Sequence, residues 1–189
     1  MNLAQNSAQT ALNALNTLYN SAALSLYQGP IPANPETSIG SQTKLATFTF
    51  ANPAFGSPTY TSLRETATAT FAATSVTPAA SGTACFARAV NSGGATVLAD
   101  YTVGIAWAPN TAVMVGQYIV NNANTYACMT AGTTAASGGP SGPGTNIVDG
   151  TATWTWNNAG SPDIMITTSA LNTGVPVSVQ SMTHALPAV

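Results

Sequence analysis

Short alternating segments separated by turn residues fill most of the chain after about residue 23. Bulky or apolar residues alternate with Thr and other polar residues within each segment, and clusters of Gly, Pro and Asn stand between the segments. Strands repeated roughly every 8 to 12 residues are typical of antiparallel all-β folds. The sequence therefore predicts a mainly β protein whose host domain is a β-sandwich of jelly-roll-like form. The clearest segments are 44–50, 66–74, 82–90 and 95–103.

The N-terminal residues instead follow a helical period. Apolar residues recur there every three or four positions, which predicts one amphipathic α-helix over about residues 3–20. Its polar face carries Gln and Asn, so packing and not ion pairs must hold it. The apolar stripe faces either the core of its own domain or a neighbouring subunit. The stripe consists of Ala8, Ala11, Leu12, Leu15, Leu18 and Tyr19.

The segment 105–159 differs in composition from the rest. It holds all three tryptophans and a glycine-rich stretch at 131–144. Without it, two runs of strands and turns would join directly. Insertions are tolerated at exposed loop tips. We therefore expect a host domain formed by residues 1–104 plus 160–189, with a small β module inserted at 105–159.

Charge is scarce, with three basic and five acidic residues in 189. Three basic side chains cannot neutralise the phosphates of a nucleic acid, and a net charge of −2 gives little attraction to anionic lipid. We expect neither nucleic acid nor membrane as a partner. A chain this neutral hides its surface in an assembly or hydrates it with hydroxyls and amides. Arg88 and the neighbours Arg64 and Glu65 either pair internally or dock onto a partner.

The residues that usually carry catalysis form no recognisable set. His184 is the sole histidine and has no Ser or Asp held beside it by a motif, and the five carboxylates are scattered. Cys85 and Cys128 lack the spacing of a zinc or redox motif. Buried free thiols are favoured for them, with a disulfide as the alternative. The sequence predicts a protein that is not an enzyme and has no catalytic, cofactor or metal site.

The host segments carry a resemblance. NSAQTALNALNTLYNSAALSLYQGPIPANPE, GTACFARAVNSGGATVLADYTVG and VPVSVQSMTHALP resemble tailed-bacteriophage virion proteins, which are small β proteins of the head or tail. The resemblance implies a structural role, which we expect to be that of a decoration or cement protein on the capsid exterior. The partners would then be the major capsid protein and copies of the same chain. The protein would be made in the bacterial host cytoplasm and end in the virion.

The insert carries a second resemblance. An early Trp107, the Tyr126-Ala-Cys128 tripeptide and the closing Asp149-Gly-Thr-Ala-Thr-Trp154 are similar to the small β modules of chitin-binding, carbohydrate-binding type found in phage structural proteins. This implies an Ig-like module. Where that pattern has Gly-Asp, this chain has Gly116-Gln117, so any role of that acid in fixing the turn is lost.

Aromatic side chains cover the apolar C–H faces of sugars, which makes the aromatics of the insert candidates for glycan binding. A module of about 55 residues also needs its aromatics for its own core. Two functions follow: a non-enzymatic capsid decoration protein, or a tail or neck adhesin whose insert binds a host-surface glycan. The candidates are Trp107, Tyr118, Tyr126, Trp154 and Trp156.

Overall fold

The computed structural model describes residues 3–188, which contain one helix and sixteen strands. The helix, α1, spans Gln5–Thr17. The predictions of a mainly β protein and of one N-terminal helix are confirmed, although α1 is shorter at both ends than the predicted range. The strands are β1 Ala23–Gln28, β2 Thr43–Phe55, β3 Thr59–Thr61, β4 Arg64–Phe71, β5 Gly82–Thr83, β6 Phe86–Val90, β7 Val97–Ala106, β8 Ala112–Val113, β9 Tyr118–Asn121, β10 Asn124–Thr130, β11 Gly132–Thr133, β12 Ile147–Asp149, β13 Ala152–Ala159, β14 Ile164–Ile166, β15 Ala170–Leu171 and β16 Val179–Pro187.

Seven strands close into a barrel. They are hydrogen-bonded in the order β7-β14-β16-β4-β2-β1-β6, and β6 pairs back with β7. β7 and β14 run parallel, while the other neighbours run antiparallel. Closure removes the free edges that an open sheet would expose. The host region is thus a closed barrel with extra strands, and its topology does not single out the predicted jelly-roll sandwich.

The barrel core combines alternate strand residues with one face of α1. Phe48 and Phe50 of β2 are buried two positions apart, as the alternation in the sequence predicts. Leu45 is buried as well because the pairing of β2 with β1 shifts register at this residue. α1 packs against β2, β4 and β16, where the small Ala67 lies in the shared core. Leu12 of α1 is fully buried in the same cluster. The helix therefore belongs to the barrel.

α1 begins without a side-chain cap, and no charged side chain complements its dipole at either end. Ala4 precedes it without a side-chain cap, and its end turns lack acidic and basic residues, respectively. Leu12 and Tyr19 are buried beneath it, whereas Leu15 and Leu18 are 39% and 56% exposed. Packing on the barrel thus holds the helix along a narrow stripe. Its outer apolar residues remain open to a neighbour.

β7 continues beyond the barrel into a second sheet. Its last residues, from Gly104, pair in parallel with β9, and β9, β10, β13 and β12 follow in antiparallel order. A Cβ at Gly104 would stand 2.7 Å from Cγ of Pro162. Glycine therefore permits the close packing at the point where the strand leaves the barrel.

The second sheet has its own hydrophobic cluster, and all of its buried members come from segment 105–159. Ile105 packs against both this cluster and the barrel core. The division of the chain into a host and an inserted domain stays a prediction, and its outer limits at residues 1–2 and 189 lie outside the described residues. The buried members are Val113, Ile119, Tyr126, Cys128, Ala152 and Trp154.

Candidate functional site

Two of the five candidate aromatics form the centre of the second core. Tyr126 and Trp154 are fully buried. On the paired strands β10 and β13, Tyr126 stands opposite Trp156 and Cys128 stands opposite Trp154. These side chains therefore share one face of the sheet. Tyr126 and Trp154 cannot present a ring to a ligand without opening the core.

Trp107 is half-buried and is oriented by Asp149. Its indole Nε1–H donates to Oδ2 of Asp149 at 2.9 Å, and the N–H of Ala135 donates to Oδ1 at 2.9 Å. Asp149 is itself buried. Gly150 follows at φ +66°, and a Cβ there would collide with the carbonyl oxygen of Thr133. The Asp-Gly pair thus fixes both the tryptophan and the loop.

Trp156 is also half-buried, and polar contacts hold it at the rim of the same face. Its indole Nε1–H donates to Oδ1 of Asn124 at 3.1 Å, and its backbone N–H donates to the carbonyl of Gly144 at 2.8 Å. The side-chain amide of Asn121 donates to the carbonyls of Gly138 and Pro140. The glycine-rich loop is therefore bonded to the sheet beside Trp107 and Trp156.

Tyr118 lies apart from the other four aromatics. It directly precedes the buried Ile119 on β9, so it points to the opposite face of the sheet. Burial, followed by the charges of Asp163 and Cys85, raises the pKa of Tyr118. The five candidates thus form no single platform. Trp107 and Trp156 are the two that share a face and keep part of their surface in solvent.

A buried polar network inside the barrel was not predicted from the sequence. The hydroxyls of Tyr19 and Tyr101 are 2.6 Å apart, Tyr101 is bonded to Nε2 of His184 at 2.9 Å, and Nδ1 of His184 lies 2.8 Å from Oδ1 of Asn16. The ring of Phe55 stacks on His184 with centroids 4.2 Å apart. The network joins α1 to β7 and β16.

The electrostatics of this network follow from its burial. Loss of water lowers the pKa of His184 to about 4, only partly offset by Asp163, and raises the pKa values of Tyr19 and Tyr101. His184 is therefore neutral at pH 7 and enclosed by aromatic rings. Its arrangement suits a role in holding α1 on the barrel.

The eight charged residues comprise one internal ion pair, two other buried carboxylates and four exposed groups. Arg88 donates through Nε and Nη2 to the two carboxylate oxygens of Asp100, both at 2.7 Å, and through Nη1 to the carbonyl of Thr37 at 2.8 Å. Arg88 thus pairs internally. Glu65 is fully buried on β4, and its carboxylate accepts no hydrogen bond within residues 3–188.

The described part of the chain offers no cluster of side chains that could bind a metal ion. Residues 3–188 contain no group of three or more His, Cys, Asp and Glu side chains that could hold a metal ion. Cys85 and Cys128 are buried free thiols. Burial raises the pKa of Cys85, and burial together with the charge of Cys85 raises that of Cys128 to about 11. Both thiols are therefore protonated at neutral pH.

Over residues 3–188, no helix has the length and apolar character needed to cross a membrane. Comparison with known proteins adds no assignment to this geometry. The chain matches no family model, and neither the curated proteins nor the solved structures include a significant match to it.

Proposed function

We propose that this chain is a non-enzymatic structural protein of a tailed-phage virion, packed in many copies on the capsid exterior. The observation that carries the proposal is an almost uncharged exterior. Only four of its eight charged residues are exposed, two of each sign, over a surface of 9097 Å². A free soluble domain with so little like charge tends to associate. In a protein packed against neighbours, that tendency serves the function.

The exposed apolar residues support the same proposal. Within residues 3–188, six large apolar side chains are more than half exposed, and they occur in both the host region and segment 105–159. Single exposed apolar residues are common, but here few charges separate them. Contacts repeated over a lattice would add up even where each one is weak. The six are Leu18, Leu63, Val115, Met129, Val148 and Val175.

The arrangement of titratable groups favours a mechanical role over catalysis. His184 is enclosed and neutral, Arg88 is neutralised by Asp100, and Asp149 is committed to Trp107 and Ala135. A general base must reach the proton that it abstracts. In this proposal the barrel contacts the major capsid protein. The insert, as an Ig-like module of carbohydrate-binding type, projects away from the shell.

Copy number in purified particles tests the proposal. Quantitative mass spectrometry of particles from the phage that encodes this chain should give hundreds of copies, in fixed ratio to the major capsid protein. Particles made without the chain should be less resistant to heat or low salt, and adding the purified protein should restore them. A handful of copies would place it at the neck or tail and contradict capsid decoration.

A tail or neck adhesin is the second candidate function. It is favoured by Trp107 and Trp156, whose half-exposed rings are pre-oriented through their indole N–H groups. Such rings suit the C–H face of a neutral sugar. A glycan array probed with the full chain, and with a Trp107→Ala variant as control, tests it. Binding that disappears in the variant would support the adhesin, and an array with no signal at millimolar sugar would remove it.

A further inference from the structure

The outer surface of the barrel carries a polar groove of about 470 Å³ that the proposed function leaves unassigned. Arg64 and Asp163 line it together with the hydroxyls of Ser161, Ser181 and Thr183. Both charged residues are exposed, and they are two of the four exposed charges of the chain. Within residues 3–188, no ion pair joins them. Half of the exterior charge, of both signs, thus lies unpaired in one groove.

Asp163 is held firmly at this site. Its Oδ2 accepts hydrogen bonds from the backbone N–H and the hydroxyl of Thr102 at 2.8 and 2.7 Å, and its own N–H donates to the Thr102 hydroxyl at 3.0 Å. Oδ1 accepts no hydrogen bond from residues 3–188. A positioned carboxylate loses little entropy when a cation binds it, so it is a good acceptor for an arginine from outside.

The β3–β4 hairpin adds apolar surface beside the groove. Leu63, which directly precedes Arg64, is 60% exposed. Leu63 adopts φ +60° at the tip of the hairpin, a conformation that costs energy for a leucine. An exposed leucine at a strained tip gains free energy when a partner covers it.

We propose that this groove binds a second copy of the same chain across a two-fold axis. Under that symmetry, Arg64 faces the partner's Asp163 while the partner's Arg64 faces Asp163, so that the contact is self-complementary. Leu63 covers apolar surface of the other copy. The inference rests on the proposed multi-copy role and names one of its contacts. A small zwitterion would suit the same charges, but it would not bring two chains together.

Sedimentation equilibrium of the full chain at low ionic strength measures the contact. The wild-type protein should dimerise, and salt should weaken the dimer because the Debye length is only about 10 Å at 0.1 M. Arg64→Glu and Asp163→Lys should each raise the dissociation constant at least about tenfold, since each replaces two attractions with two repulsions. The double variant should dimerise again, and an equimolar mixture of the two single variants should form heterodimers.

Two surface variants match these changes in net charge outside the groove. Lys44→Glu matches Arg64→Glu, and Glu36→Lys matches Asp163→Lys; both controls should stay within about threefold of wild type. Because Asp163→Lys also loses the bonds to Thr102, the Arg64→Glu and Lys44→Glu comparison decides the question. Leu63→Asn, which suits the positive φ, should weaken the dimer further.

The proposal is overturned if Arg64→Glu dimerises as well as Lys44→Glu, or if the wild-type chain stays monomeric at all accessible concentrations. A small zwitterion that binds the groove of a monomer would also overturn it. The copy number in particles is measured separately. A high copy number with no dimer in solution would therefore reject the groove contact and leave the structural role standing.

Discussion

In the barrel, every strand is hydrogen-bonded on both sides, whereas the sheet of segment 105–159 ends at the short edge strand β12. The barrel interior is filled by many Leu and Phe side chains, but the second core depends on Tyr126 and Trp154. The barrel gains its stability from closure and distributed apolar contact. The smaller region depends on two large aromatics and on polar side chains that bond its loops to the sheet.

Replacing Trp154 should produce the largest difference in unfolding stability between the barrel and segment 105–159. Trp154→Ala leaves a large cavity in the small core and should cost about 3–5 kcal/mol in unfolding free energy there. The two remaining tryptophans, Trp107 and Trp156, both lie in segment 105–159, so their fluorescence reports on it alone. In urea, the fluorescence transition should move ahead of the far-UV circular dichroism transition of the barrel.

The matched control for that experiment is Trp154→Phe, which keeps an aromatic ring in the core and should lose less stability. If both transitions of Trp154→Ala move together, the two cores unfold as one unit and the comparison fails.

Acid should weaken the barrel through His184. The folded-state pKa of about 4 lies below the ordinary value of 6.5, so the unfolded chain binds the proton more tightly. The stability that neutral His184 provides is present above pH 6.5 and is lost as pH falls through 6.5 toward 4. The difference amounts to at most about 3 kcal/mol.

Urea titrations at pH 7, 5.5 and 4.5 measure this loss, and His184→Gln supplies the control. The variant lacks the packing of the His184 ring at every pH. Its unfolding free energy should change less between pH 7 and 4.5 than that of the wild type. An equal pH dependence in the variant and the wild type would show that other groups cause the acid effect. Segment 105–159 contains no histidine, so its own transition should not follow this titration.

The third test concerns the polar support of the smaller region. Asp149→Ala leaves the indole N–H of Trp107 and the N–H of Ala135 without an acceptor, and should cost about 2 kcal/mol. Tryptophan emission should also shift to the red as Trp107 becomes more exposed. Asp149→Asn keeps an acceptor oxygen and should lose about half as much. If Asp149→Ala matches wild type, the loops do not depend on this carboxylate.

The sequence allowed prediction of the elements but not of their closure. Alternation in β2 and β4 and the helical period before Thr17 are local signals, and the structure follows them. The same alternation suits a sandwich and a barrel. The choice depends on the parallel contact of β7 with β14, which joins residues about sixty positions apart. No local pattern encodes that pairing.

The candidate site could be predicted only in part, because it too depends on how strands pair and not only on local spacing. The spacing of Trp154 and Trp156 places them on one face, as it does in the structure. The position of Tyr118 on the other face depends on strand register, which the spacing does not supply. His184 lies two positions after the buried Met182 on β16, so the two side chains share the inward face of the strand. That spacing could have indicated a buried histidine, although its partners Tyr101 and Asn16 lie far away in the chain.

The smallest expected change in stability is a gain, and it concerns Glu65. Glu65 is fully buried in the barrel, and neither carboxylate oxygen has a donor within residues 3–188. A buried carboxylate without partners opposes folding, so the nearly isosteric Glu65→Gln should raise the unfolding free energy by about 1 kcal/mol at pH 7. A higher urea midpoint with an unchanged slope would show this gain. Glu36→Gln, on the exposed surface, should change stability by less than about 0.5 kcal/mol. A loss of stability in Glu65→Gln would mean that the carboxyl group of Glu65 stabilises the barrel.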